Sequence, residues 1–87
     1  MAATFVQSCR NKIADAESRI YMLTVQRNRI VASEEWTQAC SAFVFGQKEN
    51  YNALAAKLDS LDVKIDKAEH DRAVWYALLN ERAANHG

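Results

Sequence analysis

Apolar residues recur through the second half of the chain in steps that alternate three and four. Tyr51, Leu54, Leu58, Leu61, Ile65, Ala68, Arg72, Trp75, Leu79 and Arg82 form one line, interrupted only by the two arginines. Such spacing, with charged residues between, predicts a long helix that buries one stripe against a partner helix. The first half repeats the signal. Val6, Cys9, Ile13, Ala16, Ile20, Leu23, Arg27 and Ile30 keep the same steps, and Phe5, Tyr21 and Val31 widen the stripe. Thr4 with Gln7 matches a capping box and predicts where this helix starts.

Between the two lines the phase changes. Ser33-Glu34-Glu35-Trp36 reads as a helix start, a capping serine followed by acids at the positive end of the dipole. After Ile30 the best apolar positions become Cys40 and Val44, then Tyr51. A true break near Ala32–Ser33 and a stammer in one continuous helix both fit. Gly46, the only interior glycine, suits a helix C-terminus. Asn50 or Asn52 can cap the next helix.

The expected fold is all-α, a single helical domain over 1–87: a helix over 4–45 with a candidate break at 32–33, a turn at 46–50 and a helix over 51–84. Arms of roughly 40 and 34 residues would measure about 60 and 50 Å. They match well enough to pair as an antiparallel helical hairpin or coiled coil. Ile20 and Leu23 would then face Val74–Tyr76, and Phe43 would face Leu54. A three-helix bundle using the break at 32–33 is the alternative, and one extended helix in a parallel coiled coil is the third option. Asn80 to Gly87 should fray.

Composition supports the helical reading. There is no proline and only one other glycine, Gly87, where turn-rich β folds need such residues often. Eighty-seven residues bury a thin core, so an oligomer is expected. Formal net charge is zero, which argues against a surface built for nucleic acid or anionic lipid. Cations still concentrate early. Arg10, Arg19 and Arg27, with Lys12 and Arg29 nearby, form a candidate basic face on the first helix. Arg27 lies on the apolar line itself. Either its stem packs while its head reaches an acid on the partner helix, or it forms a buried pair that sets register. From Lys57 to Arg72 the signs mix, as on a solvated helix face. Val74 to Leu79 is apolar all round, more than one partner helix can cover. Trp75, Tyr76 and Leu79, with Leu58, Leu61 and Ile65 on the seam, are therefore the candidate protein interface.

Chemistry finds little support. Asp62, Asp66 and His70 share a helix face with Glu69 adjacent, but the pattern lacks the second-helix ligands of helical di-iron sites, and a charged surface explains it. Cys9 and Cys40 read as reduced core residues rather than zinc ligands or a disulfide. No Ser or Cys pairs visibly with a His and an acid, and there is no glycine-rich phosphate loop. No catalytic residue, metal, cofactor or small-molecule substrate is expected. The longest apolar run, Val74–Leu79, is far short of the ~20 residues that span a bilayer. No signal-peptide pattern opens the sequence. The expected location is the cytoplasm, a host cytoplasm or an assembled particle.

The expected function is non-enzymatic: helix-mediated protein–protein interaction or assembly, with itself as a homo-oligomer or with another protein. A small structural subunit, an adaptor, a co-chaperone and an inhibitor all fit. The alternative is a small nucleic-acid-binding or transcription-regulatory protein using the basic flank of the first helix. The architecture resembles that of two-helix bacterial and bacteriophage accessory proteins, secretion co-chaperones among them, although no diagnostic motif accompanies the resemblance.

Overall fold

The computed structural model describes residues 4–86. Its elements are α1 (Phe5–Val31), α2 (Glu34–Val44) and α3 (Glu49–His86). Thr4 caps α1: its Oγ1 accepts from the Gln7 N–H at 3.1 Å. Gln7 does not reach back. Its Nε2 donates to Asn11 Oδ1 at 3.0 Å, so only half of the capping box forms.

Ser33 ends one helix and begins the next. Its Oγ donates to the Ile30 carbonyl at 2.6 Å and accepts from the Trp36 N–H at 3.1 Å. Glu34 and Glu35 occupy the first turn of α2, where the dipole favours them. The end of α2 is a Schellman motif. Gln47 N–H donates to Ala42 O at 2.9 Å and Gly46 N–H to Phe43 O at 3.0 Å. Gly46 adopts φ +89°, a conformation that a Cβ would strain. α3 then starts at Glu49, so Asn50 and Asn52 lie inside its first two turns and cap nothing. The helix runs through Asn80 to His86; Gly87, the last residue of the stretch expected to fray, lies outside the described residues.

α1 runs antiparallel to α3. Rising numbers on one meet falling numbers on the other: Arg27 pairs with Asp62, Glu17 meets Tyr76, and Arg82 lies over the Phe5 ring. α2 covers the start of α3, where Tyr51 stacks on Trp36 and Phe43 at 5.3 and 4.4 Å between ring centroids. The result measures 62 × 20 × 15 Å, with a radius of gyration of 19.1 Å, against about 12 Å for a compact domain of this length. That extended shape fits a helical hairpin with a broken first arm. It does not fit a compact three-helix bundle.

The two apolar lines face each other. Cys9, Ile13 and Ala16 on α1 and Leu58, Leu61 and Ala68 on α3 are buried, joined by Ala39 on α2. Four of these seven are Ala or Cys, so the backbones can approach closely and the core is thin. Cys9 and Cys40 are free thiols.

Two details depart from the sequence reading. The seam through α2 runs along Trp36, Ala39 and Cys40, and Val44 points outward. The cap at Ser33 restarts the helix with a new phase, which extrapolation from Cys40 does not capture. The pairing is also shifted. Leu23 borders the groove beside Lys64, Lys67 and Ala68 rather than facing Val74–Tyr76, and Phe43 packs on Tyr51, one turn before Leu54. The break shortens the first arm, so α1 meets α3 one to two turns nearer the tip than an unbroken helix would.

Candidate functional site

A two-helix rod has two broad sides, one on each flank of the buried seam. In an antiparallel pair, equivalent flanks of the two helices fall on the same side. The geometry shows this directly. One open groove, about 680 Å³, is bordered by Arg19 and Met22 of α1 and by Lys64 and Lys67 of α3. Further along the same side a hollow brings Arg29 beside Lys57, and another brings Lys12 and Arg19 to Asp71. On the opposite side, Tyr76 Oη donates to Glu17 Oε1 at 3.4 Å and Arg27 Nε donates to Asp62 Oδ1 at 2.7 Å.

Charge sorts between these sides. The first carries six cations (Lys12, Arg19, Arg29, Lys57, Lys64, Lys67) against four acids (Asp15, Glu35, Asp71, Glu81), a net +2, with three of the cations gathered between Lys57 and Lys67 of α3. The second carries five acids (Glu17, Asp59, Asp62, Asp66, Glu69) against Arg10 and the paired Arg27, a net −3. The zero net charge of the chain therefore conceals a polarised rod. On α3 the order is legible in the heptads. Lys57, Lys64 and Lys67 stand on one flank of the apolar line, and Asp59, Asp62, Asp66 and Glu69 stand on the other. Reading that stretch only as mixed signs misses it. The signal lies in which side of the seam each charge occupies.

Arg10, Arg19 and Arg27 are not brought together as one basic face. Arg10 and Arg19 are nine residues apart on one helix, two and a half turns, so they point in opposite directions. Arg27 sits on the seam and is engaged by Asp62. With the two side chains 38% and 46% exposed, that pair is a seam arginine reaching out to an acid on the facing helix, not a buried register lock.

The candidate interface residues fall in different places. Leu58 and Leu61 are buried by α1 within the same chain. Ile65, Trp75 and Leu79 are half-buried along the same seam. Only Tyr76 of the set is exposed, at 44%. Among the described residues the most exposed large apolar side chains lie at the other end, on the hairpin tip: Val44 is 78% and Phe45 83% accessible. Phe43 beside them packs on Tyr51 and has Lys48 Nζ 5.5 Å from its ring centroid. Placing Val44 on the seam, as the sequence pattern suggests, hides the tip.

Asp66, Glu69 and His70 are exposed, and among the described residues no three His, Cys, Asp or Glu side chains cluster as metal ligands. Cys9 is fully buried while His70 is on the outer surface, so the two cannot act together. No described helix is long and apolar enough to cross a membrane. The chain matches no protein-family model, no curated protein and no solved structure.

Proposed function

We propose that this chain is a non-enzymatic assembly protein, a helical rod that associates with further protein, including copies of itself, through surface its own core leaves uncovered. The observation that carries the reading is the apolar tip. Val44 and Phe45 stand side by side, mostly exposed, at the end of the hairpin closed by the Schellman turn. Adjacent large apolar groups in water favour association. The total area points the same way. The chain exposes 6601 Å², where a compact monomer of this mass exposes about 5,200 Å². Among the described residues the hollows along the rod are open grooves, where a small substrate favours an enclosed apolar cavity.

The test is solution mass by light scattering over a dilution series, for the native chain and for the Val44→Ser/Phe45→Ser variant. The native chain should exceed its 9.8 kDa monomer mass at the upper concentrations. The variant should keep its helical circular dichroism and dissociate at higher concentrations. A native chain that stays at monomer mass throughout and melts cooperatively would sink the reading.

A second reading, nucleic-acid binding, has one observation in its favour: the basic side of the rod. It uses Lys12, Arg19, Lys57, Lys64 and Lys67 rather than the arginine trio. It predicts binding to a duplex that weakens steeply with salt.

A further inference from the structure

We infer that the partner of the basic side is the acidic side of a second copy, so that the rods stack laterally, face to face. This rests on the reading of the chain as an assembly protein and names the surfaces that would build the assembly. Three observations converge on it.

The first is position. Lys57, Lys64 and Lys67 span eleven residues of α3, and Asp59, Asp66 and Glu69 span eleven residues of the same helix, offset by only two. A second rod laid alongside with almost no axial shift therefore sets acids against lysines along the whole stretch. All six side chains are exposed and free to pair. The second is the balance of charge. A chain built to hold a polyanion gains nothing from a net −3 side, which repels that ligand. A self-complementary stack needs both sides. The third is the apolar content. Met22, 57% exposed, borders the groove on the basic side. Tyr21, 69% exposed, is its neighbour on the acidic side. The same lateral placement brings Tyr21 of one copy to the level of Met22 of the next, a thioether–aromatic contact at the centre of the charged frame.

The available area is adequate. A side 62 Å long and 20 Å wide can bury the ~800 Å² per partner of a standard interface. Because two different surfaces meet, the contact is heterologous and repeats, producing open stacks rather than a closed dimer.

The experiment is sedimentation velocity on the full chain and on two charge-reversed variants, Lys57→Glu/Lys64→Glu/Lys67→Glu and Asp59→Lys/Asp66→Lys/Glu69→Lys. Circular dichroism confirms that each variant folds. The native chain should form a concentration-dependent series of species whose association weakens at least about tenfold between roughly 0.05 and 0.5 M salt. Each variant alone, like-charged on both sides, should lose the salt-sensitive series and keep only the association that the tip supports. Mixing the two should restore association.

Variants that associate as the native chain does, in a salt-insensitive way, overturn the stacking inference and leave the assembly reading standing on the tip. A native chain monomeric at low salt overturns both. If, in addition, it binds a DNA or RNA duplex and the lysine variant does not, the basic side belongs to nucleic acid.

Discussion

Ile13 and Arg27 occupy the same line on α1 but contribute differently. Ile13 is 5% exposed, closed in by the facing helix. Replacing it with Ala should cost about 2–3 kcal/mol, the lower part of the usual range, because a two-helix core can close partly over the gap. Arg27 keeps its ion pair in contact with water, where such pairs contribute less than about 1 kcal/mol. Arg27→Leu should therefore change stability by no more than about 1 kcal/mol, because it exchanges a weak pair for apolar contact on the seam. Urea unfolding followed by circular dichroism compares the two. An Arg27→Leu loss larger than that of Ile13→Ala would mean that the pair fixes the register. The arginine is visible in the sequence as the odd residue on an apolar line. Its partner is not, because choosing Asp62 among several acids requires the register between the helices.

Helix ends in this chain are set by short-range chemistry, and most of it is legible. Thr4, Ser33 and Gly46 each sit where their local chemistry puts them. Local chemistry cannot convey the consequence of the break: restarting α2 changes which of its residues face α3, and shortening the first arm moves every α1 contact along α3. The break and the turn should respond differently to substitution. Ser33→Ala removes the acceptor for the Trp36 N–H and should cost about 1 kcal/mol. Gly46 has open space where a Cβ would lie, so any penalty there comes from backbone alone. Gly46→Ala should cost about 1–2 kcal/mol, and Gly46→Asn clearly less, since Asn tolerates the left-handed region. Thermal melts of the three variants test this. Equal losses for Ala and Asn at position 46 would show that side-chain crowding, not φ, governs the turn.

The rod as a whole is a solution with little interior, and its stability should depend on company. Seven buried apolar residues among those described, four of them small, are a modest core for a chain of this length. Much of its seam is only half-buried. The sequence makes the hairpin legible because two apolar lines of similar length must cover each other. It hides the polarised surface, because charge sorting emerges only when both helices are viewed from the same side of the seam. If association covers the tip and the charged sides, it stabilises folded over unfolded chains by mass action. At a concentration about a hundredfold above the dissociation constant the gain is about 2.7 kcal/mol. In a domain of this size that raises Tm by on the order of 10–20 °C. Melting curves across a wide range of protein concentration should therefore shift upward. The shift should shrink in the Val44→Ser/Phe45→Ser variant, whose lost side chains add little to the fold of the single chain. A Tm independent of concentration would mean that the thin core suffices by itself, and that the uncovered surface contributes nothing to holding the protein together.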